Sequence, residues 1–365
     1  MDDITCWLRL QLTPGLGRSG LYRLIERFGS PQAAIAAVDQ WQGAGIRPGV
    51  AAQLPATDDP RVSRLNTQLD TLDIWLLTCK DTDYPDLLRN IPDPPALLYG
   101  RGARRFGEAL AVVGSRLPSS TGRVAAETLS REIAASGLTI VSGLARGIDA
   151  AAHRGALAAG GQTIAVLGCG IDRTYPAENA RLFAQIIENG TLLSEYLPGS
   201  DPLPGHFPGR NRIISGLSRG TLVIEAAIDS GSLITAELAL EQGREVFAVP
   251  GSIDRPTSAG PNRLIKDGAH PVTEAGDILS VLWPEHGCRT PKAVAGQFAA
   301  TLSEPAHSVW TALGEHPRHI DELAGELGLT AGELSAILLH LELQGGVEQL
   351  PGARYLRTCN PSGNP

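Results

Sequence analysis

The sequence predicts an α/β protein built on a doubly wound parallel sheet, with a small helical domain before the sheet and a winged helix after it. Three observations carry that expectation. Short β-branched runs alternate with helical stretches through the middle of the chain, glycines follow nearly every run, and the C-terminal part holds three helical stretches and a hairpin pattern. Strands that alternate with helices form parallel β-α-β units, whose carboxyl ends are where open sheets bind ligands. The 365 residues, 42% of them hydrophobic, suit two or three domains with ordinary cores.

The first domain, residues 1–70, opens with a helical pattern at Trp7-Leu8-Arg9-Leu10. Leu21, Leu24, Ile25 and Phe28 share one face of a second helix, and Gly29-Ser30-Pro31 ends it and starts a short helix from Gln32 to Val38. In the second domain, residues 71–285, the expected strands are Ala109–Val113, Thr139–Ser142, Thr163–Leu167, Thr191–Leu193, Thr221–Ile224 and Glu245–Val249. The expected helices are Arg123–Ala135, Asp149–Ala159, Ala180–Glu188 and Leu233–Gln242, and glycines stand at Gly114, Gly143, Gly168, Gly170 and Gly251. A linker, 286–303, precedes the third domain, 304–358. There, helices around Ser308–Leu313, Ile320–Gly325 and Thr330–Gln344 lead through Gly345-Gly346 into a hairpin of Val347–Leu350 and Arg354–Leu356.

Bulk properties exclude several classes. A net charge of -8 argues against non-specific nucleic-acid binding across the whole surface, which rests on neutralising phosphates. The five cysteines are scattered without metal-ligand spacing, which fits a reduced cytoplasm and no structural zinc. No apolar run reaches the ~18 residues of a membrane span, and the Met1-Asp2-Asp3 start lacks a signal-peptide pattern. No cofactor is expected.

Against that acidic background, no Asp or Glu occurs between Pro202 and Ile224. The block His206-Phe207-Pro208-Gly209-Arg210-Asn211-Arg212-Ile213-Ile214-Ser215-Gly216-Leu217-Ser218 lies inside this window. Arginine grips phosphate through a planar fork, and phenylalanine stacks on bases. At Val113-Gly114-Ser115-Arg116, a strand runs into small hydroxyl residues before a helix, so helix amides and the Ser115 hydroxyl form a candidate anion cradle beside Arg116. The plain alternative is a tight turn with Ser or Thr capping the helix. The turn Ser142-Gly143-Leu144-Ala145-Arg146-Gly147-Ile148-Asp149 offers Gly143 for close backbone approach and Arg146 for phosphate, with Asp149 as N-cap. His153 follows Asp149 by one helical turn, a spacing that is more often structural than catalytic. Gly168-Cys169-Gly170 before Tyr175-Pro176 is a further glycine turn, and Asp229–Glu237 a further helix start. There is neither a Gly-x-Gly-x-x-Gly nor a Walker A sequence.

Taken together, Val113–Arg116, Ser142–His153, His206–Ser218, Asp229–Thr235 and Arg244–Ser252 resemble the DNA-processing protein A family (DprA/Smf). The resemblance is strongest over residues 80–282. It implies an extended Rossmann-like domain and a non-catalytic, single-stranded-DNA-binding recombination mediator. Such a protein protects DNA that enters during natural transformation, loads RecA and forms a homodimer through the Rossmann-like domain. Carried over by motif, the DNA-binding residues are Ser115, Arg116, Gly143, Arg146, Gly170, Phe207, Arg210, Asn211 and Arg212. The chain departs from the family's frequent pattern at Gly205 and Ala177, where lysine is common. The alternative function is a nucleotide hydrolase of the phosphoribohydrolase (lysine-decarboxylase-like) class. Gly231, Thr235 and Glu237 imitate it, but the chain lacks that class's Pro-Gly-Gly-x-Gly-Thr sequence.

In the first domain, Leu12-Thr13-Pro14-Gly15-Leu16-Gly17 resembles a helix-hairpin-helix turn, with Arg18 and Arg23 to assist at phosphate; the domain's balanced charge favours the alternative, a fold-related helical module used for packing or protein contacts. In the third, the stretch Thr330–Gln344 contains Glu333 and Glu342 and no Lys or Arg, which argues against duplex reading and for a protein contact.

Overall fold

The computed structural model describes residues 3–284, 302–313, 318–344, 346–350 and 352–357. The expected linker lies outside them apart from Leu302 and Ser303, as do Gly345, Pro351 and the tail after Arg357. The chain divides into two compact units, one up to Leu282 and one from Trp283 onward.

The first unit begins with helices α1 (Asp3–Gln11), α2 (Arg18–Phe28), α3 (Pro31–Ala36) and α4 (Pro60–Thr71), with two short 3-10 turns between α3 and α4. On α2 the buried residues are Gly20, Leu21, Leu24 and Ile25, which is the face its apolar spacing requires. Ser30 caps α3 by accepting from the Ala33 amide at 3.1 Å. Next come β1 (Trp75–Thr78), α5 (Asp86–Arg89), β2 (Leu97–Gly102), β3 (Ala109–Val113), α6 (Ser120–Ala135), β4 (Thr139–Ser142), α7 (Ile148–Ala158) and β5 (Thr163–Leu167). The unit continues with α8 (Ala180–Asn189), β6 (Thr191–Ser194), α9 (His206–Gly216), β7 (Gly220–Val223), α10 (Gly231–Glu241), β8 (Glu245–Ala248), α11 (Ala259–Lys266), β9 (His270–Pro271) and α12 (Ala275–Leu282).

Among the described residues of this unit, the strands form one sheet in the order β1-β2-β6-β5-β4-β3-β7-β8-β9. From β6 to β9 every neighbouring pair is parallel, while β1 and β2 add an antiparallel edge beside β6. All six expected strands are present, each within a residue of its expected ends. The antiparallel edge was not among the expected strands. It is short and its β-branched pattern is broken by Gly100, which makes room for the Trp75 ring, and by Gly102, whose carbonyl accepts from Trp75 Nε1 at 2.9 Å. The chain winds outward from β3 through β4, β5 and β6, then returns to the other side of β3 with β7. That reversal opens a crevice at the carboxyl ends of β3 and β7, the place where doubly wound sheets take ligands.

α9 also has no counterpart among the expected elements. Pro208 and Gly209 in its first turn hide the helical pattern, yet proline is tolerated there because the first amides have no helical partner. Asp149 is not the N-cap of α7: Gly147 holds that place at φ 77°, and Asp149 is the second residue of the helix, within its first turn. Gly147 is required by that backbone, and by the Ser115 carbonyl packed against it.

One hydrophobic core runs without a break from Trp7, Leu8 and Leu24 in the helical part to the Leu97–Tyr99, Ala165–Leu167 and Leu192–Leu193 strand segments. Polar ties cross the same junction: Gln11 donates to the Glu195 carbonyl at 3.2 Å and accepts from the Tyr99 hydroxyl at 2.6 Å.

The second unit is a winged helix: α13 (Glu304–Ala312), β10 (Arg318–His319), α14 (Ile320–Leu327), α15 (Ala331–Leu343), β11 (Val347–Leu350) and β12 (Arg354–Arg357). Its core gathers Val309, Trp310, Leu323, Leu334, Leu338 and Leu341. Thr330 and Glu333 make a reciprocal capping box at the start of α15. Among the described residues, no helix is long and apolar enough to cross a membrane.

Candidate nucleic-acid interface

The crevice is a cleft of about 600 Å3 with Gly114, Ser115, Arg116, Phe207, Asn211 and Ser230 among its lining residues. A second cavity of about 290 Å3 adjoins it, lined by Gly143, Arg146, Gly168, Tyr175, Pro176 and Arg210 together with Arg116 and Phe207. Arg116 and Phe207 border both. The Arg116 guanidinium carbon lies 5.6 Å from the centre of the Phe207 ring. Arg116 is exposed and Phe207 half-buried, so a cation and a π-face meet at an open lip.

Phe207 reaches that position because residue 168 is glycine. A Cβ on Gly168 would stand 2.7 Å from the Phe207 Cδ1. The preceding His206 stacks on Tyr196 with ring centres 3.9 Å apart, and the Tyr196 hydroxyl donates to the His206 carbonyl at 2.9 Å. These contacts fix the first turn of α9, and with it the ring.

The cradle at the start of α6 is filled by the protein itself. The Glu225 carboxylate, buried after β7, accepts from the Ser119 amide at 2.9 Å and from the Ser119 hydroxyl at 2.5 Å. Gly122 leaves room for it, since a Cβ there would lie 2.5 Å from the Glu225 Cδ. The positive end of the helix is thereby satisfied by a carboxylate of this chain. The Ser115 hydroxyl accepts from the Leu117 amide at 3.1 Å and shapes the turn that projects Arg116.

The two arginines of α9 turn inward. Arg210 is 5% exposed and donates from Nη1 to the carbonyls of Gly143, at 2.7 Å, and Val166. Gly143 has no Cβ, which the guanidinium would overlap. Burial pushes Arg210 below its ordinary value, partly offset by the Asp149 charge. Burial likewise raises Asp149, whose carboxylate is opposed by Arg210 and by the amides of Gly143, at 3.2 Å, and Ala145. Arg212 is also 5% exposed and binds Glu195 at 2.7 and 2.9 Å and Asp93 at 3.0 Å. Burial alone disfavours its charge, but these carboxylates outweigh burial and hold it above its ordinary value. Asp93 also takes Arg18 at 3.0 Å. Arg212 therefore joins α9 to the strand edge and the N-terminal helices, and does not reach the cleft.

The other expected residues divide. Asn211 lines the cleft and accepts from the Arg210 Nε at 3.2 Å. Arg146 borders the smaller cavity and pairs on the surface with Glu178 at 3.0 Å. Gly170 is spent on packing: its amide donates to the Ser200 carbonyl at 2.9 Å, and a Cβ would meet Asp172, Gly199 and Leu197. Arg23 is occupied by the Gly45 carbonyl at 3.3 Å.

His153 and Asp149 form no dyad. Asp149 faces the Gly143–Ala145 amides, whereas His153 Nδ1 lies 2.7 Å from the Thr163 hydroxyl, which donates its hydrogen to Ile140. Nδ1 is therefore the protonated nitrogen, and burial lowers the His153 pKa to about 3. Gly231 and Thr235 line the cleft, but Glu237, which the hydrolase alternative needs as its acid, is exposed on α10 and does not line it.

Sequence reasoning missed Glu225, Asp93 and Glu195 as partners, because each meets its motif only through the tertiary fold. It also passed over Tyr175, whose ring centre lies 5.7 Å from that of Phe207.

The family described as DNA recombination-mediator protein A matches residues 75–283, and the DprA winged helix domain matches residues 293–353. Protein Smf of Escherichia coli (strain K12) is 38% identical over 376 residues, covering 99% of this chain and 98% of that protein. The DNA processing protein DprA of Streptococcus pneumoniae is 50% identical over 203 residues, 55% of this chain and 71% of its own length. The X-ray structure of the Streptococcus pneumoniae protein superposes with a TM-score of 0.67 at 37% identity, over 77% of this chain and 98% of that one. A Helicobacter pylori DNA processing protein A, described for its single-stranded DNA binding mode, gives 0.54 at 30% identity, over 59% and 97%. A match across more than half of the chain, and a relative aligned along nearly all of it, establish that the chain belongs to the DNA recombination-mediator protein A family.

Proposed function

We propose that this protein binds single-stranded DNA along the carboxyl edge of the sheet and acts there as a non-catalytic recombination mediator. The observation that carries this reading is the Arg116–Phe207 pair, an exposed guanidinium 5.6 Å from a half-buried ring at the lip of the crevice. One phosphate and one base of a single strand suit that pair, and neither contact reads sequence. The single-stranded DNA binding described for the Helicobacter pylori relative supports the ligand. Asn211 and Arg146 extend the contact, and the Gly143 backbone shapes it. Arg210 and Arg212 contribute by holding α9, not by touching phosphate.

In this reading the protein covers incoming single strands in the cytoplasm during natural transformation, works as a homodimer and recruits RecA onto the DNA. The winged helix makes protein contacts instead of reading duplex, because α15 bears no Lys or Arg and presents Leu339 and Leu343 at its surface.

Titration of labelled oligo-dT by anisotropy tests the ligand. Phe207→Ala is expected to weaken binding about tenfold, the scale of one lost base stack. RecA nucleation on single strands, followed with and without this protein, tests the mediator role. Equal oligo-dT binding by wild type and Phe207→Ala would remove the site, and unaltered RecA nucleation would remove the role.

A further inference from the structure

We infer that Tyr175, and not Phe207 alone, offers the face on which a base of the bound strand stacks. This rests on the single-strand reading of the cleft. Phe207 is hemmed in: the Gly168 backbone lies beneath it, and the Arg116 guanidinium carbon is 5.6 Å from its centre. The Tyr175 ring stands 5.7 Å away at an interplanar angle of 37°. Stacked bases repeat every ~3.4 Å, so a base between the two rings would need them parallel and roughly 7 Å apart. The observed pair is closer and tilted, and a base has to add to the outside of it. The open aromatic surface there belongs to Tyr175, which is 42% exposed and borders both cavities. Among nearby aromatic side chains, Tyr196 is already covered by His206.

The loop that carries Tyr175 is fixed at both ends. Before it, the Arg173 amide donates to the Gly170 carbonyl at 2.9 Å. After it, the Asn179 amide donates to the Pro176 carbonyl at 3.0 Å, and the Asn179 side chain donates to the Leu144 carbonyl at 3.0 Å. A ring held this way loses little freedom when a base lands on it. Arg116 and Tyr175 thus each stand against Phe207, 5.6 and 5.7 Å from its ring centre, so that in this inference the phosphate sits at Arg116 and the base on Tyr175.

The test uses the full chain and oligo-dT carrying 5-iodouracil, which photocrosslinks to a stacked aromatic side chain. The crosslink should map to the peptide containing Tyr175. Tyr175→Ala should weaken oligo-dT binding about tenfold, with the salt dependence unchanged, and Tyr175→Phe should bind within about twofold of wild type. An abasic oligonucleotide should bind Tyr175→Ala and wild type equally. A crosslink confined to Phe207, with Tyr175→Ala binding as wild type while Phe207→Ala fails, would overturn the inference and leave the cleft in place. Failure of wild type to bind oligo-dT would overturn both.

Discussion

On one wall of the cleft, Arg116 leaves the turn between β3 and α6 and stays exposed beside Phe207; on the other, Arg210 and Arg212 turn inward from α9 and are taken up by carbonyls and carboxylates. Both walls look cationic in sequence, and α9 the more so. The fold reverses that impression. The wall with two arginines supplies an aromatic ring and a rigid frame, and the wall with one supplies the free charge. What separates them is the reach of each side chain to fixed acceptors. Arg212 is bracketed by Glu195 and Asp93, whereas Ser115 bends its turn so that Arg116 projects clear of the Glu225 carboxylate below.

The largest effect that sharpens this contrast is on stability. Arg212→Ala leaves the Glu195 carboxylate buried without its cation and should cost roughly 3–5 kcal/mol in urea unfolding. Arg116→Ala, at an exposed site, should stay within about 0.5 kcal/mol of wild type. Wild-type stability in Arg212→Ala, with DNA binding lost, would break the comparison and return Arg212 to the interface.

Next comes Gly168→Ala, which places a methyl 2.7 Å from the Phe207 Cδ1 and must displace the ring. Oligo-dT binding should fall by about 1–3 kcal/mol, the worth of a stacked base. Unchanged binding would mean that the position of Phe207 is immaterial. The smallest effect is expected from the winged helix: a chain ending at residue 303 should bind oligo-dT within about twofold of wild type, because α15 brings no cation to neutralise phosphate. A large loss of affinity would show that the C-terminal unit shares the DNA.

Much of the fold was legible because its signals are local. Glycines after β3, β4 and β5, and β-branched runs between helices, identify parallel units without tertiary information. The short β1–β2 edge was not, since Gly100 answers to Trp75 across the strands and Gly102 to the Ile187 and Gly190 carbonyls packed on it. At the site, Arg116 and Phe207 were legible as chemistry. The fate of Arg210 and Arg212 was not, because their acceptors lie just after β4, on β5, just after β6 and in the loop at Asp93. At the start of α6 the expected anion cradle of helix amides and the Ser115 hydroxyl is instead a turn capped by Ser119 and closed by the chain's own carboxylate. That carboxylate, Glu225, comes from more than a hundred residues along the chain.

In this reading Arg116 contacts a phosphate in the cleft and Arg212 does not. That difference is tested most directly by the slope of log K against log salt concentration for oligo-dT, measured on wild type and Arg116→Ala. Loss of one phosphate contact on a single strand should reduce that slope by about 0.7. An Arg116→Ala protein with the wild-type slope and affinity would contradict the account.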